Sequence, residues 1–421
     1  MTAEIAIVNR QAIALAADSA VTIGRERVWK LANKLFSLGP ENDIAIMIYN
    51  NGEFAGFPWE LIVKTFRAER RGILYKTVKE CGDDFMLYLE DARFVPDDLN
   101  KTIHLFLLTE PMERMQNRLR RTDLRKSGDF RAAVMAECDQ AIHDVSQLTE
   151  LPNAPSLKVF RGKYHATIKA FALEIFGRAI GKSLCDRLVG MIHDIVRHET
   201  PSTYFSGVVV AGYGKEQFFP QIMEYSVDGK DDLSIRKWVT RNIDTNATNQ
   251  RKTYIVPFGQ TDIFHLFMEG ISPSHLELLE NLLSSILASK SESLIQEYVS
   301  SADRVVETAK QRVENGKIIE RFLTEFGAYR IEDTVQPIVD VVRALPKEEM
   351  AYMAQALVEL TSLRRKVDSN LESVGGPVDI AIISKGDGLI WIKRKHYFDL
   401  DKNRDYLYRK FATWRAGHEE Q

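Results

Sequence analysis

The sequence has few of the features that mark disulfide-rich, membrane or nucleic-acid-binding proteins. Its three cysteines among 421 residues, Cys81, Cys138 and Cys185, are far apart in the chain. Neither a disulfide framework nor a cysteine metal site is therefore expected. No apolar run approaches the roughly 18 residues that a membrane-spanning helix needs. The formal net charge of −3 provides no positive field, so neither a membrane nor a nucleic acid is expected as a partner.

Sequence signatures of nucleotide-dependent and metal-dependent enzymes are also missing. Neither a phosphate-binding GxxxxGK motif nor a dinucleotide GxGxxG motif occurs, and His193 and His198 lack the HExxH spacing of zinc peptidases. No metal and no organic cofactor are predicted. The first 20 residues carry Glu4 and Arg10 inside their apolar stretch and lack a basic start, which is not typical of a secretory signal. We therefore expect a cytoplasmic protein.

The apolar pattern predicts strands near both ends and in the middle of the chain, with long helical segments between them. Alternating or continuous apolar residues predict hairpins or strand pairs, and helical periodicity covers most of 73–200 and 260–368. The expected fold class is α+β, a layered core with large helical elaborations. The predicted strands are 3–8, 12–17, 34–38, 44–49, 206–212, 218–227, 253–258, 377–384 and 388–394.

The predicted division of the chain follows this pattern. We expect 1–72 to form the N-terminal part of the core and 73–200 to form a mainly helical insertion. Residues 201–270 would supply the central strands of the core, and 271–370 an enlarged helical block. Residues 371–421 would supply the C-terminal strands and a tail rich in basic and aromatic residues.

The chemistry is predicted to begin at Thr2. Removal of Met1, which is usual before a small residue, would leave a threonine whose hydroxyl and α-amine form a nucleophile with its own base. Pairing of strands 3–8 and 12–17 would carry Asp18 back towards Thr2, and a short crossing segment would return Lys34 to the same place. A buried ammonium there would keep the terminal amine partly neutral, and the carboxylate would orient the lysine.

The segments around these residues match a known pattern at the same intervals. ADS occupies 17–19, VTIG occupies 21–24, and Lys34 follows with no gap from Thr2. In these segments the chain resembles the proteasome β-subunits and their bacterial relatives, which are N-terminal nucleophile (Ntn) hydrolases. Three later segments are similar to the family's central strands, to its serine-bearing strand–turn–helix and to its last strands. They are 205–229, 257–267 and 374–392.

The resemblance implies a four-layer αββα Ntn-hydrolase sandwich with added helical segments. It implies that Thr2, Asp18 and Lys34 are catalytic. A backbone N–H of Asn50 or Asn51 would stabilise the oxyanion, because these residues stand where the family has a glycine-rich step.

The resemblance also implies supporting residues, with departures from the family pattern. Thr22 and Gly24 would bind an extended peptide by strand addition. The family's active-site serine is replaced by Gln260 or Thr261, and its later aspartate and serine have only approximate counterparts, Asp368 and Ser373. Ala20 replaces an arginine that is usual in the family.

The expected function is therefore a threonine-type endopeptidase whose substrate is a peptide or protein. The resemblance implies a homo-oligomer, and an ATPase (unfoldase) or another protein as a further partner. Two alternatives stay open: a stand-alone Ntn amidase that cleaves a small amide, and a catalytically inactive scaffold of the same fold. The departures from the family pattern at the supporting residues favour the inactive scaffold.

Overall fold

Two five-stranded antiparallel sheets lie at the centre of a mixed α+β architecture. They are built from alternating or continuous apolar sequence, as expected for strands buried on one or both faces. The computed structural model describes residues 2–23, 27–29, 32–94, 98–119, 127–177, 180–230, 235–247, 252–367, 375–396, 398–399, 401–406 and 408.

The first sheet contains the N-terminal hairpin at its centre. Residues Glu4 and Ala17 are paired in this hairpin, so that the end of the second strand lies beside the start of the first. The predicted N-terminal hairpin and the predicted C-terminal hairpin are both confirmed. In spatial order the strands are β12 (Tyr254–Gly259), β1 (Ala3–Val8), β2 (Ala12–Ala17), β13 (Asp379–Ser384) and β14 (Gly388–Lys393).

The second sheet contains four predicted strands and one that the sequence analysis missed. The missed strand, β11, is an edge strand with several exposed positions, and its sequence IRKWVTRNID is too charged to stand out as an apolar run. In spatial order the strands are β11 (Ile235–Asp244), β10 (Gln221–Lys230), β9 (Ser206–Tyr213), β6 (Asp43–Asn50) and β5 (Leu35–Ser37). Two small hairpins pair β3 (Val21–Ile23) with β4 (Arg27–Trp29) and β7 (Glu53–Phe54) with β8 (Phe57–Pro58).

The two sheets face each other across a shared apolar cluster that includes Leu15 and Met47. The outer face of the second sheet packs against α1 (Trp59–Glu69) and α2 (Val78–Tyr88), with Phe66 and Phe85 in contact. Residues on the outer face of the first sheet form a further apolar cluster with residues of three helices. These are α7 (Asp262–Glu269), α10 (Gln336–Ala344) and α11 (Lys347–Val367).

The remaining helices form two additions. Four of them share an apolar cluster of their own that includes Leu108, Phe160 and Leu188. They are α3 (Asp98–Leu119), α4 (Ser127–Val145), α5 (Leu157–Phe176) and α6 (Lys182–Arg197). The other addition is a hairpin of two long helices, α8 (Pro273–Tyr298) and α9 (Arg304–Arg330), which continues through a π-helical turn, Ile331–Val335, into α10.

Candidate functional site

Thr2 lies where the ends of three strands meet. It precedes β1, and its Oγ1 accepts a hydrogen bond of 3.1 Å from the backbone N–H of Asn50 at the end of β6. Its carbonyl oxygen accepts one of 2.8 Å from the N–H of Gln260, just after β12. In the chain that carries Met1, Thr2 is only 2% exposed. Both sheets therefore hold Thr2, the second through its hydroxyl and the first through its backbone.

Gly259 makes this close approach possible. Its φ is +74°, in the left-handed region that favours glycine. A Cβ atom there would lie 2.3 Å from the carbonyl oxygen of Thr2 and 2.8 Å from its Oγ1. Any other residue would collide with the backbone of Thr2, so glycine is required by both space and conformation.

Asp18 and Lys34 form a buried ion pair next to Thr2. The Lys34 Nζ lies 2.5 Å from Asp18 Oδ1, and the two residues are 4% and 1% exposed respectively. Backbone N–H groups of Ala3, at 3.2 Å, and Gly375, at 2.9 Å, also donate to the Asp18 carboxylate. Since a buried charge must be paired and hydrogen-bonded, this carboxylate fixes the ammonium in place.

Glu4 is a second carboxylate of this cluster and was not among the predicted site residues. Its Oε1 lies 3.2 Å from Lys34 Nζ, and its side chain is fully buried. Burial raises the pKa of Glu4 to about 7; the Asp18 charge acts in the same direction, and Lys34 and the Thr2 hydroxyl act against it. Side chains two residues apart on a strand share a face, so Glu4 lies on the same side of β1 as Thr2.

A sequence signal for Glu4 existed. It is a lone carboxylate in an otherwise apolar strand, AEIAIV, in which every residue is buried. A buried ionised group is costly unless it has a partner, so such a residue marks either a paired charge or a functional group.

Asn50 holds its backbone N–H towards Thr2 by an uncommon conformation. Its φ is +69°, which asparagine tolerates better than most residues. Its side-chain amide donates to the carbonyl oxygens of Thr203, at 3.3 Å, and Phe205, at 2.8 Å. Asn51 instead donates through its side chain to the carbonyl oxygen of Tyr204, at 3.1 Å. Of the two predicted N–H donors, Asn50 is the one whose N–H reaches the hydroxyl.

The predicted supporting residues have different surroundings. The side-chain oxygen of Gln260 accepts a hydrogen bond from Arg365 of α11, and Thr261 immediately precedes α7. Thr22 lies in β3, but its side chain is outside the described part of the structure, as is Gly24. Asp368 and Ser373 are also outside the described residues.

The described residues contain neither a group of metal-binding side chains nor a membrane-spanning helix. Within them, no three His, Cys, Asp or Glu side chains are grouped closely enough to hold a metal ion. No helix in the described ranges combines the length and hydropathy that crossing a bilayer requires.

Comparisons with known proteins find similar solved structures but no family. No protein-family model matches the chain, and no curated protein matches it. One similar structure is Anbu (ancestral beta-subunit) from Yersinia bercovieri, with 10% identity over 98% of this chain and 96% of that chain and a TM-score of 0.27. Another is the Anbu complex from Pseudomonas aeruginosa, described as a helical assembly, with 11% identity over 99% and 94% and a TM-score of 0.28. A third is an Anbu mutant from Hyphomicrobium sp. strain MC1, with 10% identity over 98% and 97% and a TM-score of 0.28.

These comparisons correct the resemblance stated from the sequence. The similar structures are Anbu (ancestral beta-subunit) proteins, and no family model places the chain among proteasome β-subunits. That assignment was wrong: it rested on short segments around Thr2, Asp18 and Lys34 and on the later segments 205–229, 257–267 and 374–392, which together are only part of the chain.

Proposed function

We propose that the chain is an N-terminal threonine hydrolase that cleaves amide bonds, with a peptide as the expected substrate. The observation that carries this proposal is the buried cluster around the Thr2 hydroxyl. The N–H of Asn50 reaches this hydroxyl, and beside it the Lys34 ammonium pairs with the carboxylates of Asp18 and Glu4.

The charge balance of this cluster supports a free amine on Thr2. With Met1 attached, a single ammonium faces two buried carboxylates, and burial holds Glu4 near the midpoint of its titration at neutral pH. Removal of Met1 would create an α-amine that titrates near 8 and can carry the missing positive charge. The cluster is therefore suited to a mature chain that begins at Thr2.

The proposed reaction uses these groups in a fixed order. Thr2 Oγ1 attacks the amide carbonyl carbon, and its proton passes to the α-amine of Thr2. The N–H of Asn50 stabilises the negative charge that develops on the carbonyl oxygen. The α-ammonium then gives its proton to the leaving amine, and water hydrolyses the ester on Thr2. Lys34 maintains a positive potential around both steps, and Asp18 positions Lys34.

The arrangement of the cores supports an Ntn-hydrolase sandwich as the fold. Helices α1 and α2 cover one sheet, the two sheets face each other, and α7, α10 and α11 cover the other sheet. In this assignment, 1–72, 201–270 and 371–421 supply the core, and 73–200 and 271–370 supply the added helices. Since α2 packs on the second sheet and α10 and α11 pack on the first, the core includes the first part of 73–200 and the last part of 271–370.

The experiment that tests the proposal is an intact mass of the purified chain before and after exposure to a peptide epoxyketone. This reagent needs both a hydroxyl and a free amine on the same threonine. We expect loss of Met1 and a single adduct in the parental chain. Thr2→Ala, which also permits Met1 removal, should form no adduct, and Thr2→Ser should form one.

Two results would contradict the proposal. Retained Met1 would leave the hydroxyl without its amine and would favour the inactive scaffold. A processed chain that reacts with neither the epoxyketone nor a smaller β-lactone would show that the hydroxyl is not activated. Reaction with the β-lactone alone would favour the small-amide hydrolase over the peptidase.

A further inference from the structure

The hairpin of α8 and α9 has very little core of its own. Of these two long helices, only Ile295 and Asn315 are buried. A polar contact, in which Asn315 Nδ2 donates to Ser291 Oγ at 2.9 Å, lies between the two helices. Helices gain most of their stability from packing of an apolar face, so a pair with this little burial needs further cover.

Large apolar side chains are exposed along both helices. They follow one another at intervals of four on α8 and at intervals of four and seven on α9. Their exposed fractions are 53% for Leu278, 52% for Leu282, 63% for Ile286, 49% for Ile318, 39% for Phe322 and 63% for Tyr329.

These two stripes lie on the same side of the hairpin. On α8, each exposed residue comes immediately before a half-buried contact residue, as Leu282 does before Leu283. On α9, Ile318 precedes Ile319 and Phe322 precedes Leu323 in the same way. One residue is a rotation of about 100°. Because the two helices run antiparallel, the same rotational offset turns both stripes towards one face of the hairpin.

We propose that this apolar face binds the same face of a second copy of the chain, so that the two hairpins form a four-helix bundle. Half-exposed side chains of this size present roughly 600 Å² of apolar surface, more than the few hundred Å² usual for a monomer. Twofold pairing would bury about 1,200 Å² in total, which reaches the size of a specific interface. A self-complementary face is what a twofold dimer requires.

The charges of α8 and α9 also favour a second copy of the chain as the partner. Between its ends α8 has four glutamates and one lysine, whereas α9 has six basic and four acidic residues. A twofold axis along the hairpin places α8 of each copy over α9 of the other copy, antiparallel to it. The helix with excess negative charge then faces the helix with excess positive charge, which favours this pairing over α8 on α8.

The test is the molar mass of the full-length protein in solution, measured by light scattering after size exclusion. We expect the parental chain to have twice its 48.1 kDa mass, or an even multiple of it. Ile286→Glu and Phe322→Glu should each halve that mass, because a charge would be buried at the centre of the bundle. Val313→Glu is the matched control, since Val313 is 60% exposed on the opposite side of α9 and should leave the mass unchanged.

All three positions are exposed in the single chain. Because Phe322 also stacks on Phe326, the thermal unfolding of each variant is measured beside its mass, and Ile286→Glu, which has no such ring contact, decides the outcome if Phe322→Glu is less stable. A monomeric parental protein would overturn the proposal. So would a variant on the apolar face that keeps the parental mass, or a control that loses it. A monomer that pulls a different protein onto this face would assign the surface to another partner and also refute self-association. Reaction of Thr2 with the epoxyketone is independent of all these outcomes.

Discussion

At the scale of single residues, the chemistry depends on how side chains alternate between the two faces of β1. Thr2 and Glu4 lie on the face of β1 that is turned towards the second sheet, whereas Ala3 and Ile5 belong to the outer cluster beneath α11. Because residues two apart on a strand share a face, the Thr2 hydroxyl and the Glu4 carboxylate lie on the side of Lys34. Exchanging these faces would move Glu4 away from Lys34 and bury it beneath α11.

Glu4 should make the stability of the Met1-bearing chain depend on pH. Burial raises the pKa of its carboxyl from an ordinary 4.5 to about 7, so between these values the folded chain keeps a proton that the unfolded chain releases. The contribution of Glu4 to the free energy of unfolding therefore falls as the pH rises through this window, by on the order of 3 kcal/mol. Glu4→Gln should lose this dependence.

The measurement is unfolding in denaturant at about pH 5 and about pH 8, on protein whose intact mass includes Met1. The parental chain should lose more free energy of unfolding between the two conditions than Glu4→Gln does. Equal losses would show that Glu4 ionises normally.

Asn50 should tolerate glycine but not a β-branched residue. Asn50→Gly keeps the left-handed φ and the N–H that faces Thr2 Oγ1, and it loses only the two side-chain hydrogen bonds. Asn50→Val strains the backbone and turns the N–H away, so the rate of Thr2 alkylation should fall by roughly 10²-fold. Similar rates for the two variants would argue against the N–H as the important group.

At the scale of elements, the junction between β12 and α7 decides whether Thr2 can sit between the sheets. Gly259 ends β12 and packs on the backbone of Thr2, and Gly270 ends α7. Both have a left-handed φ, +74° and +72°, but a Cβ at Gly270 would meet nothing within 4 Å.

This pair of glycines gives a matched comparison. Gly270→Ala should cost about 1 kcal/mol of unfolding free energy from backbone strain alone and leave Thr2 reactive. Gly259→Ala carries the same strain and also displaces Thr2, so it should be less stable and should lose most of its alkylation rate. Thermal unfolding and adduct formation would be measured on both, and equal behaviour would show that Gly259 has only a conformational role.

At the scale of the whole molecule, the loop that contains Thr203 connects the addition formed by α3–α6 to the site. Glu110 of α3 accepts hydrogen bonds from the backbone N–H of Thr203, at 3.1 Å, and from its hydroxyl. The carbonyl oxygens of Thr203 and Phe205 in turn hold the side chain of Asn50. The helices therefore support the loop that positions the proposed oxyanion donor.

Glu110→Ala should weaken this connection without unfolding the helices. Loss of one or two such hydrogen bonds should slow Thr2 alkylation roughly two- to tenfold. Glu137→Ala is the control, because Glu137 pairs with Arg118 on the same helical unit and has no contact with the loop in the described structure. If both variants react at the parental rate, the addition formed by α3–α6 does not affect the reactivity of Thr2.

The local sequence determines those parts of this protein whose structure depends on residues that are close together in the chain. The apolar hairpin 3–8 and 12–17 followed from its pattern and turn, and it brings Asp18 beside the first strand, as expected. Strand β11 is different, because its pairing with β10 outweighs a charged sequence that has no apolar run.

Only the tertiary structure decided the groups whose properties come from distant parts of the chain. The pKa of Glu4 depends on burial between two sheets, and the need for glycine at 259 depends on β12 lying beside β1. Gln260, expected from the sequence near the nucleophile, has its side-chain oxygen bonded to Arg365 because α11 covers that end of the sheet. The sequence by itself determined which residues begin the site, because hairpin pairing is local. Burial and contact between separate elements, which set protonation and space, exist only in the folded chain.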